Sequence, residues 1–191
     1  MDEALRSLAG RLRTESGGSP LYERLIATED PAALAATLTE PGQPLWAREL
    51  AAFRMGVAGD GRAFEALVLL LNHRDPQRCA SAAHALARLG DPRTARAAAA
   101  LATNELRVAY AFHPVRLLVE LRAPEAVPAL ITTLQRRLRP HDPYRKVAIA
   151  CVEGLGMLGD VRATAVLNDA LAHPALAQAA VHALARIPRQ R

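Results

Sequence analysis

Apolar positions in this 191-residue chain recur with the spacing of helices. Leucine or alanine stands at Leu67, Ala98, Leu130 and Leu167, and again at Leu71, Ala102, Leu134 and Leu171. A step of four residues returns to the same side of an α-helix, so each pair of positions marks an apolar stripe. Nowhere do apolar and polar residues alternate as they do in a half-buried strand. The pattern predicts an all-α protein.

The stripes are preceded by a recurring fragment. "AAHALARLGDP" (82–92) returns as "AVHALARIPRQ" (180–190), and "EGLGMLGDVRA" (153–163) and "FRMGVAGDGRA" (53–63) share its register. "RLLVELRAPEA" (116–126) is a weaker copy. Superposing them aligns Gly59, Gly90, Arg122, Gly159 and Pro188, at spacings of 31, 32, 37 and 29 residues. Glycine suits a left-handed helix stop, and the Asp or Pro that follows suits the start of the next helix. Each unit is therefore expected to be two helices joined by a tight turn. A single pair cannot bury the stripe of its second helix, whereas stacked pairs bury it as one core. The expected architecture is an α-solenoid of about four and a half helix pairs over residues 44–191. Residues 1–43 fit the register poorly. "DEALRSLAGRL", "PLYERLIA" and "DPAALAATL" predict helices there that form a degenerate N-terminal cap.

Units of about 30 residues carrying "AxxALxxLGD" resemble the HEAT-like repeats of the phycobilisome-lyase type, over residues 45–188. Near the start of each first helix such repeats usually carry "VR". Here Arg48 keeps the arginine, while Cys79 and Ala148 take its place. The resemblance implies a solenoid and leaves function open, since such repeats serve scaffolds, adaptors and a few enzymes. An iron hydroxylase of this class is marked by repeated His-Glu pairs, and this chain has none. Its alkylated-base glycosylases use several aromatics, and Trp46 is the only tryptophan. Trp46 is expected to anchor the first full repeat to the cap.

Composition narrows the reading further. Hydrophobic residues make up 51% of the chain, aromatics only 4%, and alanine roughly a fifth. Small side chains of this kind suit closely approaching helices. No segment has the roughly 18 uninterrupted apolar residues of a membrane span. "MDEALRSLAGRLRTES" has no apolar block before a cleavage site, so it does not read as a secretory signal. Cys79 and Cys151 are too few for a disulfide framework or zinc site. A cytoplasmic protein without metal or cofactor is expected. The formal charge of +5 favours anionic partners. However, 23 of the 24 basic residues are arginine, a skew that a GC-rich bacterial genome produces without any functional demand.

Most residues with chemical potential have structural explanations. Four Asp-Pro steps, at Asp30, Asp75, Asp91 and Asp142, predict capped helix starts. His84 and His182 align with Phe53, Arg116 and Glu153, a mixture expected of solvated or half-buried positions. Cys79, beside Arg78 in a first turn, has a setting that can activate a thiol but fits a small core residue better. No acid–base pair or activated nucleophile stands out, so an enzyme or chromophore lyase is the weaker alternative.

Two candidate surfaces remain. Opposite the buried stripe, the second helices offer Glu65, Leu69, Asn72, Arg96, Thr103, Thr132, Gln135 and Asp169. Pro128 and Ala165 extend the first row, Ala100 the second and Ala172 the third. These concave rows mix apolar, amide, hydroxyl and charged groups without a basic stripe, and are expected to contact a protein or peptide. "RRLRPHDPYRK" (136–146) accounts for the long 37-residue spacing. Its Arg136, Arg137 and Arg139 are expected in the last turn of a helix, and Asp142 is expected to cap the next. The same segment is the candidate anion contact, through Arg136, Arg137, Arg139, Arg145 and Lys146, and the alternative route to nucleic-acid binding.

Overall fold

The computed structural model describes residues 3–188, and every regular element among them is helical. The helices are α1 (Glu3–Glu15), α2 (Pro20–Ala27), α3 (Pro31–Thr39), α4 (Leu45–Val57), α5 (Phe64–Leu71) and α6 (Pro76–Leu89). They continue with α7 (Thr94–Thr103), α8 (Phe112–Leu121), α9 (Ala126–Arg137), α10 (Arg145–Leu158), α11 (Thr164–Leu171) and α12 (Ala177–Leu184). None of them is long and apolar enough to cross a membrane.

The first helix of each predicted pair stops where the alignment placed the stop. Gly59, Gly90 and Gly159 take φ values of 79°, 67° and 67°, and Arg122 takes 50°. Arginine adopts this left-handed conformation against the clash of its Cβ with the following carbonyl. The turn therefore forms without glycine, at a cost. At the fifth aligned position, Pro188 lies beyond the end of α12 at Leu184 and makes no such stop.

Three of these stops share a further device. Asp60, Asp91 and Asp160 each accept the backbone N–H of the residue two places on, namely Arg62, Arg93 and Arg162. The same arginines donate Nε to the same carboxylates at 3.0, 3.0 and 2.9 Å. These side-chain hydrogen bonds are the main reason all three carboxyls are held below the ordinary aspartate range. The aspartate was legible as a turn residue; its arginine partner was not. Asp30 and Asp75 cap α3 and α6 through the N–H groups of Ala32 and Gln77.

Contacts divide the chain into two compact units, one ending at Thr94 and the other beginning at Ala95. In the first, α4 packs against α1, α2, α3, α5 and α6. Leu67 and Leu71 are fully buried. Trp46 on α4 lies with its ring 6.4 Å from that of Tyr22 on α2, whose hydroxyl donates to the carbonyl of Ala9 on α1. Helices α1–α3 thus belong to the same compact unit as α4 and α6.

In the second unit, α10 packs against α8, α9 and α12, while α11 touches α12 and α9. The Thr133 hydroxyl joins α9 to α7 by donating to the carbonyl of Ala102 at 3.1 Å. Ala98, Ala102, Leu130, Leu134 and Leu167 are buried as the stripe requires. Leu171 departs from it: as the last residue of α11 it is 38% exposed. Close approach explains the glycine at 156, where a Cβ would lie 2.6 Å from the Cα of Ala183 on α12. Small residues here set how near two helix backbones can come.

Candidate functional site

The rows opposite the buried stripe are accessible in both units. On α5, Leu69 is 74% exposed, and Glu65 is exposed with its carboxylate 3.3 Å from Arg93. Asn72, the C-cap of α5, is half-buried. In the second unit Arg96, Gln135 and Asp169 are exposed, whereas Thr103 and Thr132 are half-buried. Thr103 spends its hydroxyl on the carbonyl of Ala99 at 2.8 Å. What these rows present in the second unit is mainly small and uncharged, with one cation and one carboxylate among the named positions.

The basic segment is organised differently from its sequence expectation. Helix α9 ends at Arg137, about one turn later than α5 or α11 relative to the preceding stop, so helix takes up part of the extra length. Arg136 and Arg137 fall in that last turn, but Arg139 lies beyond it, after Leu138 has left helical geometry. The Arg136 Nη1 donates to the carbonyl of Thr103 at 2.8 Å, and its Nε lies 3.0 Å from Glu105. Arg137 pairs with Asp142 at 3.1 Å, both side chains being only about one-tenth exposed (9% and 10%). The Lys146 ammonium sits 4.1 Å from the centre of the Phe112 ring. Three of the five candidate cations therefore have partners within their own unit. Arg139 and Arg145 are exposed.

Asp142 does not cap α10. Tyr144 occupies the N-cap position without a side-chain cap, and Asp142 accepts the Tyr144 N–H at 2.9 Å one step earlier. Pro143 between them leaves the segment one more residue before α10 starts at Arg145. His141 takes φ 61° in the bend that brings Asp142 back to Arg137. Together with His173 and the arginines at 137, 139 and 145, His141 and Asp142 line a cleft of about 440 Å³.

A buried ionic cluster in the first unit went unseen in the sequence. Glu49 on α4 is 1% exposed and receives Arg78 of α6 and Arg11 of α1, each in a short ion pair, as well as the Ser81 hydroxyl at 3.0 Å. Arg78 also pairs with Glu15 of α1. The signal was present in α4, where Glu49 lies among Trp46, Leu50 and Phe53 at helical spacing. The buried arginine of α6 is Arg78, one residue before the slot where the repeat alignment placed Cys79. That cysteine is buried, its thiol donating to the carbonyl of His73 at 3.0 Å. Burial also pushes the Cys151 thiol up to about 12, which keeps it protonated and unreactive.

The histidines at 84 and 182 do not share one environment. His84 stacks on Phe53 at 5.8 Å, while His182 is exposed. Phe53 itself is fully buried, because α4 is enclosed by five neighbouring helices, so the aligned position is not uniformly solvated. Among the described residues no group of three or more His, Cys, Asp or Glu side chains is placed to hold a metal ion. No family model and no curated protein matches the chain.

Proposed function

We propose that the chain is a HEAT-like α-solenoid interaction module that binds a protein or peptide segment without catalysing a reaction on it. Each unit by itself offers contacts on the accessible side of its second helices: Glu65, Leu69 and Asn72 in the first unit, and Arg96, Thr103, Thr132, Gln135 and Asp169 in the second.

The observation that carries this reading is where the arginines go. A protein that tracks a nucleic acid needs cations free to meet phosphates. Here Arg62, Arg93 and Arg162 hold turn aspartates. Arg11 and Arg78 neutralise Glu49, and Arg54 donates to the carbonyls of Leu25 and Ile26. Arg136 and Arg137 are tied to Glu105 and Asp142. These eight of the 24 basic residues thus serve local structure. The accessible rows instead carry the mixed polar and apolar chemistry of protein contact surfaces.

Leu69→Glu combined with Thr132→Glu tests the proposal. Leu69 is exposed and Thr132 half-buried on the same side as the rows, outside the buried stripe, so circular dichroism should show unchanged helicity. Quantitative co-purification from the native host should show a protein retained by the wild type and lost from the variant. A folded variant that retains every wild-type partner would remove these rows from the binding surface.

A further inference from the structure

The cleft beside α10 combines features that the interaction surface does not use. Its guanidinium and imidazole groups come from three segments: Arg139 and His141 from the 138–144 bend, Arg145 from the first turn of α10, and His173 from the turn after α11. One carboxylate, Asp142, lies in the lining, and it is already committed. Arg137 neutralises it, and the Tyr144 N–H occupies its other oxygen. Arg139 and Arg145 therefore face the cleft with no ion pair from the described residues.

We propose that this cleft binds a small phosphate ester. Guanidinium groups recognise phosphate through paired, charge-assisted N–H bonds, and two of them suit a dianion. Imidazoles at 141 and 173 supply further donors. The nine-tenths-buried Arg137–Asp142 bridge holds the bend that carries Arg139 and His141 before ligand arrives. Such preorganisation lowers the entropic cost of binding. The cleft also adjoins the start of α10, a 14-residue helix whose N-cap, Tyr144, contributes no side-chain hydrogen bond. The partial positive charge of that terminus adds to the arginines.

Size decides the class of ligand. About 440 Å³ lies in the range of small-molecule pockets and is far too little for a tracked duplex. Ala148, Ala172, Ala175 and Leu176 line the remainder of the cleft and give an apolar seat for the body of an ester. This proposal is independent of the interaction surface, since none of the rows named above lines the cleft apart from Ala172, at the end of the third.

Calorimetric titration of the full chain with phenyl phosphate tests it, with a single-stranded oligonucleotide titrated in parallel. Saturable phenyl phosphate binding is expected, and Arg139→Gln with Arg145→Gln should weaken it at least about tenfold. Arg88→Gln, on α6 and outside both the cleft and the interaction rows, should leave it unchanged. Both cleft arginines are exposed, so the double variant should keep its helical signal. Should it fail to fold, amide shift mapping of the wild type decides: ligand-induced shifts should concentrate at 139–148 and 172–177. Absence of saturable binding, binding indifferent to the double variant, shifts centred elsewhere, or tighter binding of the oligonucleotide would each overturn the proposal.

Discussion

The arginines around Glu49 and those around the 138–144 bend are chemically alike and physically opposite. In the first unit, Arg78 is buried with Glu49, and Arg11 and Glu15 complete the cluster between α1, α4 and α6. In the second, Arg137 is buried with a carboxylate, while Arg139 and Arg145 stand at an open cleft. A buried charge is tolerable only when paired, and an exposed charge on the surface contributes little to stability. The same side chain is therefore structural around Glu49 and available at positions 139 and 145. Charge count alone could not have told them apart.

The largest effect should come from breaking the buried cluster. Glu49→Gln keeps the shape of the side chain but removes the buried carboxylate shared by Arg78 and Arg11, leaving both with the partly exposed Glu15 and Arg78 with Asp75 at 3.6 Å. It should cost about 3–5 kcal/mol in urea denaturation. A wild-type midpoint would mean that Glu15 and Asp75 compensate and that the cluster is not what fastens α1. Next comes the shared stripe. Leu130→Ala should cost about 2–5 kcal/mol, whereas Thr132→Ala, on the accessible side, should stay within about 0.5 kcal/mol. Equal midpoints would mean that the two faces of α9 have been exchanged.

Asp142→Ala should cost about 1–3 kcal/mol, since it leaves Arg137 buried without its carboxylate. That exceeds the ~1 kcal/mol expected for Asp30→Ala, which removes an ordinary helix cap. Parity between the two variants would return Asp142 to a simple local role. The smallest effect is a gain. Arg122→Gly relieves a left-handed arginine and should raise stability by about 1 kcal/mol; any loss in thermal melts would show that the Arg122 side chain has contacts worth more than the strain.

What the sequence revealed follows from what is local. Helix stops at Gly59, Gly90 and Gly159 could be placed because a left-handed turn depends on a single residue, and alignment extended the same stop to Arg122. The stripe was legible because burial repeats every four residues. Leu171 was misjudged, since exposure at the last residue of α11 depends on what lies beyond the helix. The Glu49 cluster joins residues up to 63 positions apart, as between Glu15 and Arg78, and no spacing rule reports such a meeting. For the same reason the basic segment was visible as charge, but its division into Arg136, Arg137 and Lys146, which have partners in their own unit, and Arg139 and Arg145, which stand at the cleft without an ion pair from the described residues, was not.

On the proposed reading, the surplus of arginine is architectural rather than a surface for polyanions. Fluorescence anisotropy of wild-type protein with single-stranded and duplex oligonucleotides, across rising salt, tests this most directly. The predicted result is no affinity that falls steeply between about 50 and 200 mM salt, the signature of counterion release. Tight binding that collapses over that range, and that vanishes when Arg136, Arg139, Arg145 and Lys146 are all changed to glutamine, would contradict it.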